Sequence, residues 1–208
     1  MLQTNQLQFA YPSGPLFTFP NVTVSLQEVL LVLGKSGSGK TTLLHLLAGL
    51  MKPTNGTVTV DSITLTALGP SALDAFRGKH IGLVFQQPLF IRSVSVMHNL
   101  QLARTLAGLP ADANRAMQLL SELGIADKAT QLPQSLSIGE RQRASIARAL
   151  MAAPSLVLAD EPTSALDDTN CHRVTQLLHT TATRHNAALV IVTHDRRLKE
   201  RFTNTVEL

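Results

Sequence analysis

Short apolar runs alternate along this chain with longer stretches of mixed polarity. Val29 to Leu33, Ile81 to Phe85, Leu156 to Ala159 and Leu189 to Thr193 are dominated by Val, Ile and Leu. Runs of this length with no polar face predict strands of a parallel sheet covered by helices on both sides. Leu7 to Ala10, Val22 to Leu26 and the loosely alternating Val58, Val60, Ile63 and Leu65 predict a smaller antiparallel sheet in the N-terminal third. From Val96 to Leu150 the period becomes helical. Leu100, Ala103, Leu106 and Ala107 fall on one face, and Met117, Leu119, Leu120 and Leu123 form the next apolar set. Pro110, Gly124 and Pro133 punctuate this region, which reads as a helical lobe inserted into an α/β core.

Composition narrows the class. A chain of 208 residues is one large domain, or one domain with an inserted lobe. Hydrophobic residues make up 44% and charged residues 15%, against about 25% charged in an ordinary soluble domain. Disorder is excluded, and part of the surface is expected to be covered by a partner. The longest apolar runs stop far short of the roughly 18 residues a bilayer requires, so no membrane crossing is expected. Met1 to Tyr11 has neither a basic start nor a continuous apolar stretch, and the single cysteine, Cys171, cannot form an internal disulfide. These features point to a reducing cytoplasm. The net charge of +4 comes from scattered Lys and Arg, so no nucleic-acid partner is expected.

The sharpest motif is Gly34-Lys35-Ser36-Gly37-Ser38-Gly39-Lys40-Thr41. It follows a predicted strand and opens a predicted helix, the context a phosphate-binding loop requires. Its glycines let successive backbone N–H groups turn inward, and the helix beginning near Lys40 adds the positive end of its dipole. Lys40 would reach the β- and γ-phosphates, and Thr41 offers a hydroxyl to Mg²⁺, a hard cation that prefers oxygen. A second element, Ser155 to Glu161, is a buried strand that ends in two adjacent carboxylates. Neighbouring side chains on an extended chain point apart. Asp160 is therefore suited to hold Mg²⁺ and Glu161 to direct the attacking water.

Leu136-Ser137-Ile138-Gly139-Glu140, followed by Arg141 to Leu150, resembles the signature of ABC-type ATPases. Other elements of that family follow in order. Gln86 resembles the Q-loop, Ser164-Ala165-Leu166-Asp167 the D-loop and His194 the switch histidine, while Tyr11 sits where the family places an adenine-stacking aromatic. Phe9 and Phe17 are rivals for that last position. The signature has its own physical reading: Ser137 with Glu140 three residues on is a capping box, opening a helix with Ala144, Ala147, Leu150 and Met151 on one face. Ile138 and Glu140 depart from the family's usual glycine and glutamine. The capping box would turn Glu140 away from a bound phosphate.

The resemblance covers essentially the whole chain. It implies a P-loop NTPase core of the RecA-like type, residues 1–87 and 155–208 with the N-terminal antiparallel β-subdomain, and a helical subdomain over about 88–154. Glu161, His194, Lys40 and Gln86 would be catalytic. Tyr11, Gly34, Lys35, Ser36, Gly37, Ser38, Gly39, Lys40, Thr41, Thr42, Ser137, Gly139 and Asp167 would contact ATP. Thr41, Gln86 and Asp160 would hold Mg²⁺. In the family, Ser137 and Gly139 close on the nucleotide of a second copy, so a homodimer enclosing two ATP molecules is implied. Separate transmembrane permease subunits would carry out translocation, with this chain peripheral on the cytoplasmic face of the membrane. The region from Phe85 to Leu136 is similar to ATPases of lipoprotein-releasing and macrolide-exporting systems. The family often continues past the histidine with a further strand, so an abbreviated last sheet edge is expected. Two rivals keep the fold: an ABC-type ATPase acting on nucleic acid or the ribosome, and a regulatory ATP-binding subunit. The 50 positions between Gln86 and Leu136 leave no room for a long coiled coil, and intact Lys40, Asp160 and Glu161 favour catalysis.

Overall fold

The structure is a computed structural model, and it describes residues 1–163, 168–199 and 201–208, with side chains described for all of these except 168–170. The chain forms β1 (Leu2–Ala10), β2 (Leu16–Thr18), β3 (Thr23–Val24), β4 (Val29–Leu33), α1 (Lys40–Leu47), β5 (Asn55–Val60) and β6 (Ile63–Thr64). It continues through α2 (Pro70–His80), β7 (Ile81–Val84), α3 (Val96–Leu106), α4 (Ala113–Glu122) and α5 (Ile138–Ala149). The last third holds β8 (Leu156–Asp160), α6 (Asp168–Arg184), β9 (Ala188–Thr193) and β10 (Thr205–Glu207).

Two sheets result. One has the order β10-β4-β9-β8-β7, with every described pairing parallel. The other runs β2-β1-β5-β6, with β3 also on β1, and its pairings are antiparallel. The apolar runs explain the layering, because successive side chains of a strand point to opposite faces. Leu31, Leu33, Val157, Ala159, Leu189 and Ile191 face a core completed by buried residues of α3, α4, α5 and α6. Leu30, Val32, Leu156, Leu158, Val190 and Val192 face a second core shared with α1 and the antiparallel sheet. A strand buried on both faces has no use for polar positions, and β4, β8 and β9 have almost none.

Several sequence expectations are corrected. Leu106 is 78% exposed and Met117 43% exposed, so neither joins the core face of its helix. Leu106 ends α3, where Ala107 makes the packing contact instead; Met117 precedes the buried pair Leu119 and Leu120 by a rotation that carries it outward. Ile63 lies at the start of a two-residue strand and is also exposed, whereas Val58, Val60 and Leu65 are buried. β1 begins at Leu2 rather than Leu7, crossing an irregularity between Asn5 and Gln8 where Gln6 takes a positive φ. The last sheet edge is closed by β10, three residues parallel to β4, with the Leu208 N–H donating to Leu33 O at 2.8 Å.

Two arginines stitch the end of α5 to the helices before it. Arg115 donates to Leu150 O at 2.8 Å and to Met151 O at 3.0 Å, and Arg104 donates to Met151 O at 3.0 Å. They occupy carbonyls that a helix C-terminus leaves without internal partners.

Candidate functional site

The carboxyl ends of β4, β8 and β9 converge on a pocket of about 1140 Å³, the location at which ligands of open α/β sheets collect. Residues 34–42, between β4 and the first turn of α1, form its floor, and Tyr11, Phe17, Gln86, Glu161 and His194 stand around it. The loop is shaped by its glycines. Gly37 and Gly39 have φ of 82° and 94°, a region open to glycine and costly to other residues. A side chain on Gly34 would begin 2.3 Å from Ser38 Oγ. Ser38 Oγ is itself buried with no hydrogen-bond partner among the described residues.

Lys40, nearly buried at the start of α1, folds its ammonium back into the loop. It donates to Gly34 O at 2.9 Å and Lys35 O at 3.0 Å, and lies 3.6 Å from Glu161 Oε1. Thr41, the next residue, places its hydroxyl 3.3 and 3.4 Å from the two oxygens of Asp160. Thr42 faces the other way and bonds the Tyr11 hydroxyl at 3.1 Å. Tyr11 packs edge-on against Phe9 and Phe17, so the three aromatics form one wall, of which Tyr11 and Phe17 line the pocket.

The carboxylates at the end of β8 go to different partners, Asp160 to Thr41 and Glu161 to Thr193 and His194. Burial pushes the Asp160 carboxyl above its usual range, opposed by the Thr41 hydroxyl. Glu161 leaves the strand with φ 44° and its N–H bonded to Val192 O at 2.8 Å. Its carboxylate accepts from Thr193 Oγ1 at 2.8 Å and from the His194 N–H at 3.2 Å, and meets His194 Nδ1 at 2.9 Å. Burial alone would raise Glu161, but the bonds from His194 and Thr193 outweigh it and hold the group below the ordinary carboxylate range.

The oxygen-only pair of Thr41 and Asp160 fits a hard divalent cation that keeps several waters. Among the described residues no group of three or more His, Cys, Asp or Glu is gathered for a metal. The turned-in loop with its orphaned Ser38 hydroxyl fits a phosphate chain.

Ser137 and Gly139 are not part of this pocket's lining. The capping box of Ser137 with Glu140 is formed: the Ser137 side chain accepts from Glu140 N at 3.3 Å, and Glu140 accepts from Ser137 N at 2.8 Å. Ile138 is 70% exposed beside it. Asp167 and the rest of the 164–167 segment lie outside the described residues. Sequence reasoning missed four lining residues, Leu33, Arg196, Glu207 and Leu208. Glu207 and Leu208 reach the pocket only because β10 pairs with β4, which no local signal announces.

A phosphate loop at the end of one strand, carboxylates at the end of another and a parallel sheet between two cores define a P-loop ATPase. The ABC transporter family model matches residues 19–164. The chain is 37% identical over 214 residues to the lipoprotein-releasing system ATP-binding protein LolD 1 of Rhodopirellula baltica, covering 100% of this chain and 93% of that protein. It is 35% identical over 213 residues to the macrolide export ATP-binding/permease protein MacB of Rhodopseudomonas palustris, of which it spans 32%. Among solved structures, the ATP-binding cassette MJ0796, a dimer in a post-hydrolysis state bound to ADP and Pi, superposes with a TM-score of 0.88 at 31% identity, covering 100% of this chain and 94% of that one. The chain belongs to the ABC transporter family, and it is an ATP-binding, ATP-hydrolysing subunit of that family.

Proposed function

We propose that this chain powers a cell-envelope transport system similar to the lipoprotein-releasing and macrolide-exporting ones, working as a homodimer attached to separate permease subunits. The observation that carries the reading is the convergence of Lys40, Thr41, Asp160, Glu161 and His194 at the ends of three adjacent parallel strands. Loop amides and Lys40 bind the β- and γ-phosphates, with Tyr11 against the adenine. Thr41 and Asp160, with Gln86, would hold Mg²⁺, which would supply charge neutralisation for the phosphates. Glu161 orients the attacking water and accepts its proton, and His194 fixes the Glu161 carboxylate and faces the γ-phosphate. Ser137 and Gly139 act on the nucleotide of the second copy, which accords with their place outside the pocket of their own chain. Asp167 shapes the same interface.

Translocation falls to partner permeases and the chain sits peripherally on the cytoplasmic face, a reading supported by the membrane-transport systems to which its relatives belong. Among the described residues no helix is long and apolar enough to cross a membrane. Residues 88–154 form the lobe that meets them. In support, Leu89 and Ile91 are exposed just after Gln86, on a segment clamped by Asn99, which bonds both the N–H and the carbonyl of Ile91. A contact there feels the position of Gln86.

Light scattering of Glu161→Gln with and without Mg-ATP, beside wild-type ATP turnover, tests the reading. Conversion of monomer to dimer by ATP, with turnover in wild type, is expected. Binding of ATP with neither dimer nor turnover would overturn the homodimer.

A further inference from the structure

The helix that opens at Ser137 carries a carboxylate in its first turn, and the structure shows where both oxygens of that carboxylate go. Glu140 Oε2 accepts from the Ser137 N–H at 2.8 Å, which closes the capping box. Oε1 lies 3.5 Å from Lys128 Nζ, at the end of the 3₁₀ turn Ala126–Lys128. Lys128 also pairs with its neighbour Asp127 at 3.0 Å. A capping box needs only one carboxylate oxygen, so the lysine is an additional restraint brought from a different segment. The bonds from Ser137, backbone first, and then Lys128 together hold Glu140 below the ordinary carboxylate range.

The first turn of a helix attracts anions through its free N–H groups and dipole, and a loosely held carboxylate there competes with any arriving phosphate. We propose that Lys128 is a positioning residue for ATP hydrolysis: by holding Glu140 Oε1 it keeps the carboxylate turned back and offsets its charge, so that the Ser137–Gly139 end of α5 still accepts a γ-phosphate. This rests on the reading that Ser137 and Gly139 close on the nucleotide of a second copy. Lys128 touches no nucleotide itself. One unit charge about 4 Å away in a wet site changes an anion's affinity by about fivefold, and more as water is excluded on closure. Because Lys128 is partly exposed, salt weakens the effect.

The test compares four proteins that all carry Glu161→Gln, chosen because it retains ATP: that parent, and the parent with Lys128→Met, with Glu140→Gln, or with both. Light scattering over a concentration series with Mg-ATP reads the dimer Kd, a fluorescent nucleotide reads ATP affinity of the monomer, and thermal melting reads stability. Lys128→Met is expected to weaken dimerisation about fivefold or more, with monomer ATP affinity unchanged, and the effect should shrink at high salt. Glu140→Gln alone should dimerise at least as tightly as the parent, and the double substitution should return to it. A merely structural ion pair would instead lower the melting temperature without that rescue. Dimerisation unaffected by Lys128→Met, or a double variant as weak as the single one, overturns the inference and leaves the proposed dimer standing. Failure of the parent to dimerise overturns both.

Discussion

Glu161 Oε1 lies 2.9 Å from His194 Nδ1, joining the residue that follows β8 to the residue that follows β9. The other oxygen accepts from Thr193, so a carboxylate at the end of one strand takes its hydrogen bonds from groups at the end of its neighbour, with Lys40 of α1 3.6 Å away. Parallel pairing of Asp160 with Val192 sets that register. A one-residue slip would send Thr193 to the opposite face and leave Glu161 buried without its partners.

Replacing Glu161 by Gln keeps the side chain's size and its acceptor oxygen while removing its ability to take a proton. ATP turnover is expected to fall by about 10²-fold or more, with ATP affinity kept within a few-fold. Phosphate release and nucleotide titration on the same preparation check both halves. Equal loss of binding would mean that Glu161 acts mainly through its ion pair with Lys40.

Gly39 precedes α1 with φ 94°, and a Cβ there would lie 2.8 Å from Phe17. Gly39→Ala therefore meets both backbone strain and a clash with the aromatic wall, and ATP affinity should drop by about tenfold or more. Gly124, with φ 65° and nothing within 4 Å of its Cβ position, is the control. Gly124→Ala meets the strain alone, costing about 1 kcal/mol of stability with ATP affinity unaltered. Nucleotide titration and urea unfolding of both variants separate the two cases.

The legible parts of this molecule are those whose physics is local. A run such as Val29 to Leu33 announces a strand buried on both faces, the glycine spacing of 34–41 announces a turned-in loop, and Ser137 with Glu140 announces a cap. What stayed hidden depends on where distant segments meet. Glu207 and Leu208 line the pocket through the pairing of β10 with β4, and Arg196 through the 3₁₀ turn Arg196–Leu198 that follows β9. The helix α2 has no fully buried residue, and so offers no apolar stripe to read. The pairing of Lys128 with Glu140 joins segments whose spacing matches no helical repeat.

Tyr11 bonds Thr42 through its hydroxyl and presents its ring to the pocket, two roles that substitutions can part. Tyr11→Phe removes only an exchangeable hydroxyl contact and should leave KM for ATP within about threefold. Tyr11→Ala removes the stacking face, for which about 1–3 kcal/mol is typical of a base on an aromatic ring, so KM should rise at least about fivefold with kcat little changed. Steady-state kinetics of the pair decide it. An unaltered KM in Tyr11→Ala would pass the stacking role to Phe17.

Asp195, next to His194, is the anchor of the segment that follows β9. Arg197 grips it with Nε at 2.8 Å from Oδ1 and a terminal nitrogen 2.6 Å from Oδ2, while Thr163 and Cys171 donate to Oδ2 at 3.2 and 3.3 Å. The Arg197 bonds hold the carboxyl far below its usual range despite the opposing effect of burial. A carboxylate depressed on folding contributes stability that is fully present above its unfolded pKa, about 3.9, and is lost as pH falls toward the folded value. Asp195→Asn sets an amide N–H₂ against Arg197 and should cost about 1.5–3 kcal/mol at pH 7. Since only the native carboxylate carries the linkage, the deficit should shrink by about 1.4 kcal/mol for each pH unit below about 4. Urea unfolding of both proteins at pH 7 and near pH 3 measures it. A deficit of the same size at both pH values would assign the role of Asp195 to packing rather than charge.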